Sequence, residues 1–113
     1  MAVGSSNDFD LVVLGAGTGG YTAAFRAAQH GLKVALVDED KIGGTCLHRG
    51  CIPAKALLEA ASIAQKVAKG KEFGVTAEKV TLDYGVAMKR SRAVSAQNSK
   101  GVEFLMKKHK VTV

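Results

Sequence analysis

The passage from Phe9 to Gly20, where a short apolar run stops abruptly at a cluster of glycines, restricts the fold of this chain most. Phe9-Asp-Leu-Val-Val-Leu14 is rich in aliphatic and β-branched residues, the pattern of a strand covered on both faces, and we expect it to be the central strand of its sheet. Gly15-Ala-Gly-Thr-Gly-Gly20 follows directly, and Tyr21, Ala24, Phe25 and Ala28 then recur at i, i+3, i+4 and i+7, the spacing of one buried helix face. Gly31 is placed to stop that helix in a left-handed conformation. Lys33-Val-Ala-Leu-Val37 reads as a second buried strand ending at Asp38. Strand, helix and strand in this order predict a parallel pair joined by a crossover helix, and so an α/β fold.

Past the loop 38–44, one long helix is predicted over about 45–69, with Ala54, Leu57, Leu58, Ala61 and Ala68 on one side. Pro53, the only proline, interrupts its start. Residues 70–74 are a breaker-rich connection. A weaker helical pattern over about 83–109 carries Val94, Val102, Leu105 and Met106, and Val111-Thr-Val113 looks like the opening of another strand. Residues 1–8 are expected to be a flexible amino terminus and 9–113 a single, incomplete domain.

Composition narrows the partners. The chain has 113 residues, 47% of them hydrophobic and 23% charged, which suits one globular domain. A formal charge of +6 raises the question of nucleic acid or an anionic membrane. The cations are scattered along two predicted helices with few aromatic residues among them, whereas a nucleic-acid surface carries stacking rings; a solvated face is the better reading. Met-Ala-Val-Gly-Ser-Ser-Asn lacks the features of an export or transit signal, and no apolar run has the length of a bilayer span. The expectation is a soluble, cytoplasmic protein without nucleic-acid or membrane partners. The two cysteines are then more in keeping with catalysis, redox sensing or metal binding than with a structural bridge.

The glycine motif gains meaning from its setting between a strand and a helix, with an acid closing the next strand. Gly15 permits the tight turn, Gly17 lets a pyrophosphate approach the backbone, and Gly20 lets the helix pack closely. The helix N-terminus offers free N–H groups and partial positive charge, and Asp38 can accept hydrogen bonds from a ribose diol. A plain glycine-rich turn with a solvent-facing aspartate is the alternative. NAD and FAD are held by the same device, so the motif does not choose between them.

Gly43-Gly-Thr-Cys46-Leu-His-Arg-Gly-Cys51-Ile-Pro-Ala-Lys55 is the most specific segment. In a regular helix, thiols five positions apart lie beyond the roughly 4.4–6.8 Å between Cα atoms that a disulfide accepts, so closing one requires the backbone to deviate. Gly50 is permissive, and Pro53 removes a helix hydrogen bond at about 3 kcal/mol. Such a bridge suits exchange with substrate thiols, and Arg49 and Lys55 are placed to stabilise a thiolate. Two other readings stay open: inert buried thiols, or metal ligands together with His48, although a closed zinc site wants four protein ligands and His30 and His109 are remote in sequence.

Gly-Gly-Thr-Cys-Leu-x-x-Gly-Cys-Ile-Pro-x-Lys, following Gly-x-Gly-x-x-Gly and a strand-end acid, resembles the class I pyridine nucleotide-disulfide oxidoreductases, which use FAD. The likeness extends to Gly19-Gly-Tyr-Thr-Ala-Ala24, Phe73-Gly-Val75 and Gly101-Val-Glu-Phe-Leu-Met-Lys-Lys108. It implies a Rossmann-like FAD-binding fold, completed in the family by a later stretch of sequence. It also implies FAD against Gly15, Ala16, Gly17 and Gly20, with Asp38 and Glu39 on the adenosine side and Gly44, Thr45 and Lys55 toward the flavin. Cys46 would be the sulfur that exchanges with substrate and Cys51 the one against the flavin, with NAD as the final acceptor.

Within the family the likeness is greatest to the branch that oxidises dihydrolipoamide on the lipoyl domains of 2-oxoacid dehydrogenase complexes, ahead of glutathione and mercuric reductases. Those enzymes are homodimers. Family members often have Glu-Lys where this chain has Asp38-Glu39, and Asn-Val in place of His48-Arg49. A second glycine fingerprint for NAD and the His-Glu pair that the family draws from a partner subunit have no counterpart in these residues. A module that holds a nucleotide without catalysis is therefore a second reading, and an NAD-only dehydrogenase, which has no use for the cysteine pair, a third.

Overall fold

The structure, a computed structural model, describes residues 8–113, so the expectation of a flexible amino terminus falls, but for Asp8, outside the described residues. They group into two units, one running to Gly44 and including Ser99–Val113, the other Thr45–Asn98.

In the first unit, β1 (Leu11–Leu14), α1 (Thr18–Gln29) and β2 (Val34–Val37) follow in the expected order. The strands are parallel, with Leu11 opposite Val34 and Leu14 opposite Val37. The carboxy-terminal residues lie along the other side of β2, where Ala35 forms a parallel bridge with Thr112. The Leu36 N–H donates to the Thr112 carbonyl at 2.8 Å, and the Thr112 N–H to that of Val34 at 3.0 Å. A single bridge at Thr112 thus stands where an opening strand was expected at 111–113, and among the described residues the strand with neighbours on both sides is β2.

Burial follows that order. Val34, Ala35 and Leu36 are buried, whereas in β1 alternate side chains part company: Leu11 and Val13 pack on the core while Val12 and Leu14 are 59% and 86% exposed. Strand side chains alternate between faces, and here one face of β1 is open to solvent. Among the described residues, cover on both faces is therefore seen for Val34–Leu36 and not for β1.

The core cluster consists of Ala16, Ala24, Val34, Leu36, Met106 and Val111, with Tyr21, Phe25 and Ala28 packed against it, so the predicted face of α1 is the buried one. Its end is a Schellman turn. Gly31 has φ +89°, and the N–H groups of Gly31 and Leu32 donate to the carbonyls of Ala28 and Ala27. The final helix closes in the same way, the Lys110 and Val111 N–H groups reaching Lys107 and Met106, with Lys110 at φ +57° in the position glycine prefers. The hydrophobic contact that accompanies such a turn falls on Met106 and Val111, both core residues.

The predicted helix over 45–69 is two helices, α2 (Gly44–Arg49) and α3 (Cys51–Ala68), parted at Gly50. Pro53 does not break a helix, because it is the third residue of α3, where N–H groups have no intrahelical acceptor to lose. The expected loss of a helix hydrogen bond there does not arise. The buried positions of α3 are Pro53 and Ala56, with Ala60, Ala64 and Val67 half-buried; of the predicted stripe Leu57 is half-buried, whereas Ala54, Leu58, Ala61 and Ala68 are exposed. With alanines on both sides of this helix, apolar spacing alone places most of the stripe wrongly. A 3₁₀ turn at Gly70–Phe73 ends at Gly74, with φ +75°.

α4 (Tyr84–Lys108) begins in the second unit and ends in the first. Asp83 caps it, its Oδ1 accepting the Val86 N–H at 3.1 Å. Val102 and Met106 are buried as expected, but Ser91, Ser95 and Ser99 are buried too, four residues apart on one stripe. All sixteen Lys and Arg side chains are exposed, as a solvated face requires.

A Cβ at Gly20 would collide with the Gly15 carbonyl, so Gly20→Ala should cost about 3 kcal/mol, read as a lower urea midpoint at unchanged slope. Lys110→Gly relieves a left-handed side-chain residue and should raise stability by about 1 kcal/mol in the same assay. A loss there would show that the Lys110 side chain contributes more than its backbone conformation costs.

Candidate functional site

The glycine loop leaves the end of β1 and enters α1 through Gly17, the helix N-cap. Gly15 takes φ +95°, and its N–H donates to the Val37 carbonyl at 2.7 Å, which ties the turn to the end of β2. A Cβ at Gly17 would meet nothing within 4 Å, whereas one at Gly20 has no room. The three glycines therefore differ in what they permit: a turn, an open approach and a close packing. The first turn of α1 carries no acidic residue and no side-chain cap, so no side chain of its own offsets the positive end of that helix.

Asp38, half-buried just beyond β2, reaches back to this loop. Its Oδ2 accepts the Ala16 N–H at 2.5 Å and its Oδ1 the Asp40 N–H at 2.9 Å. The Ala16 hydrogen bond, followed by that from Asp40, holds the carboxyl below the usual aspartate range, against a smaller opposing effect of burial. A further backbone contact comes from Glu39, and a carboxylate with its several lone pairs keeps capacity for another donor. Glu39 is exposed beside it. Leu14, Gly15, Val37, Asp38 and Glu39 line an open cavity of about 290 Å³ at the ends of both strands, where ligands of open α/β sheets bind.

The loop after β2 folds back onto the glycine turn, which sequence reasoning did not foresee. The Gly43 N–H donates to the Ala16 carbonyl at 2.8 Å. Gly44, with φ +63°, comes so close that an added Cβ would lie 2.8 Å from the Gly17 Cα. The only signal was the Gly43-Gly44 pair itself, read as part of the cysteine motif. A cradle of uncapped helix amides, glycine backbone and a carboxylate on the neighbouring strand fits a dinucleotide: donors for phosphates, acceptors for a ribose diol.

Cys46 and Cys51 are joined in a disulfide with their Cα atoms 4.7 Å apart. Closure is achieved by the break at Gly50, whose missing Cβ would stand 3.1 Å from the Thr45 carbonyl oxygen and 3.3 Å from the Cys46 Cα. The backbone deviation expected from spacing is thus real and located at the glycine, with Pro53 inside the following helix. A bond between the two sulfurs sets aside the metal-ligand reading, and the exposure of Cys51, with Cys46 half-buried, does not suit inert core thiols. Cys51 is the first residue of the eighteen-residue α3, a position at the positive end of that helix. Lys55 is exposed one turn later on the same helix, and Thr45 is exposed on α2. Among the described residues, no helix is long and apolar enough to cross a membrane.

The chain is 50% identical over 109 residues to dihydrolipoyl dehydrogenase of Chlorobaculum parvum, covering 96% of this chain and 23% of that protein. It is 48% identical over 108 residues to dihydrolipoyl dehydrogenase of Bacillus subtilis, covering 96% and 23%. With that of Mycobacterium tuberculosis the figures are 54% over 105 residues, 92% and 22%. The chain thus spans less than a quarter of the length of these relatives. The family of pyridine nucleotide-disulphide oxidoreductases matches residues 9–113, and it is to this family that the chain belongs.

Proposed function

We propose that this chain is the FAD-binding and disulfide-bearing part of a dihydrolipoyl dehydrogenase, whose whole form oxidises dihydrolipoamide with NAD as final acceptor. The observation that carries the reading is a closed Cys46–Cys51 bridge at a helix break in a chain that also bears a dinucleotide cradle. Gly15, Ala16, Gly17 and Gly20 offer backbone to the pyrophosphate, and Asp38, with Glu39 beside it, accepts from the adenosine ribose. Gly44, Thr45 and Lys55 serve the flavin side. When bound, FAD supplies the acceptor for the two electrons that the reduced cysteines release.

The residues of this chain account for the exchange steps. A substrate thiolate attacks the Cys46 Sγ, and the bond to Cys51 breaks with its electron pair leaving on the Cys51 sulfur. The N-terminus of α3 and the Lys55 cation favour that thiolate. The second substrate thiol then attacks the mixed disulfide, forming the cyclic lipoyl disulfide and releasing Cys46. In this proposal the substrate is carried on lipoyl domains of 2-oxoacid dehydrogenase complexes, the names of the relatives being the support. The whole enzyme is taken to be a homodimer. A cytoplasmic setting suits a bridge used for exchange, since reducing compartments seldom keep structural ones.

The test is to titrate the chain with FAD by fluorescence quenching, then add dihydrolipoamide anaerobically and follow the visible absorption of the bound flavin. Saturable binding and bleaching are expected, with Cys46→Ser and Cys51→Ser still binding FAD but bleaching at least about a thousandfold more slowly, the scale of loss when a nucleophile is removed. Bound flavin that ignores dihydrolipoamide would leave only a nucleotide-binding module, and absence of binding would sink the reading.

Asp38 supplies a pH signature. Because its folded pKa is lowered from 3.8, the stability it contributes is complete above that value and is lost as pH falls through the lowered one. Asp38→Asn should therefore flatten the acid limb of a stability profile below about pH 4 and weaken FAD about tenfold, the scale of one charge-assisted hydrogen bond. An unchanged acid limb would show that the carboxylate's backbone bonds do not matter to the fold.

A further inference from the structure

We propose that Arg92 is a positioning residue for the Cys46–Cys51 couple, holding the reduced loop in the shape from which the bond re-forms; this rests on the exchange reading above. His48 lies between the two cysteines in the last turn of α2. Arg92, on α4, reaches that turn: its Nη1 donates to the His48 carbonyl at 3.2 Å, across forty-four positions of sequence. The guanidinium also puts a cation at the carbonyl end of α2, the favourable sign there. The loop between the sulfurs is thus held by something other than the bridge, Arg92 from outside and Leu47, 6% exposed, from within.

The consequence is a linkage. Closing the bridge fixes where the His48 carbonyl points, and a fixed carbonyl is a better acceptor for Arg92. By reciprocity the hydrogen bond favours the closed bridge by the same factor. Reduction by a monothiol makes this measurable. The Cys46–Cys51 disulfide and two RSH give the dithiol and one RSSR: the first thiolate displaces one cysteine sulfur, the second displaces the other half of the mixed disulfide, and two electrons and two protons pass to the protein. The monothiol is not part of any linkage with Arg92, so a change in the equilibrium reports the ease of ring closure alone.

The experiment equilibrates the full chain anaerobically in reduced and oxidised glutathione of graded ratio, quenches with acid, alkylates and weighs the oxidised fraction. Arg92→Gln is expected to lower the effective concentration of the two thiols about fivefold, with Arg92→Lys, which keeps a cationic donor, restoring most of it. Lys89→Gln, an exposed change on the same helix, should leave the equilibrium alone. A purely structural role would lower the melting temperatures of oxidised and reduced forms equally and leave the glutathione midpoint unmoved; that result overturns the proposal. No exchange with glutathione by the unaltered chain overturns the exchange reading itself, and the proposal with it.

Discussion

The peptide unit of Ala16 is the joint on which the cradle depends. Its N–H is held by the Asp38 carboxylate and its carbonyl by the Gly43 N–H, while its methyl group is wholly buried in the core. Three stretches of chain, the turn after β1, the end of β2 and the loop before α2, meet on one residue. The Asp38 bond is charge-assisted, so it is among the stronger tethers a surface loop can have. With the turn held this way, the uncapped start of α1 needs no further support to stay aimed outward.

Much of this was legible in the sequence because local chemistry and global fold agree there. The run Leu11–Leu14, the glycine spacing and the Tyr21, Ala24, Phe25, Ala28 stripe are each a weak signal alone, and all three point to the same structure. What was not legible has physical causes. Which strand lies in the middle depends on a segment some seventy-five positions away, Thr112 beside Ala35, and no local pattern encodes such pairing. The buried face of α3 was misread because alanine is small enough to be tolerated on either side of a helix. Ser91, Ser95 and Ser99 were passed over because a hydroxyl counts as polar in a pattern, although so small a side chain can be buried.

The disulfide shows the same division. Spacing demanded a departure from helix, and composition offered Gly50 and Pro53 as candidates without choosing. The structure chooses Gly50, since the chain passes so near Thr45 and Cys46 that a side chain there would be crowded. Pro53 then reads as part of a helix start, where its missing N–H is no loss. The break also resets the helix, so that Cys51 occupies a first-turn position; in one continuous helix it would lie in the interior, without the free amides that favour a thiolate. The geometry that closes the bridge is also the geometry that makes its opening chemically useful.

The described chain leaves β1 with Val12 and Leu14 exposed, beside Val37 at 47%, a surface that invites association. Against this stands a net charge of +6, with every cation exposed. The two act over different ranges. Charge repulsion is screened beyond about 10 Å at 0.1 M salt, so it slows approach without weakening contact once strands or apolar faces meet. Burial of an aliphatic side chain, worth about 1.5–3 kcal/mol each, is insensitive to that screening. Salt therefore lowers a barrier between like-charged surfaces and leaves the attraction between apolar ones untouched.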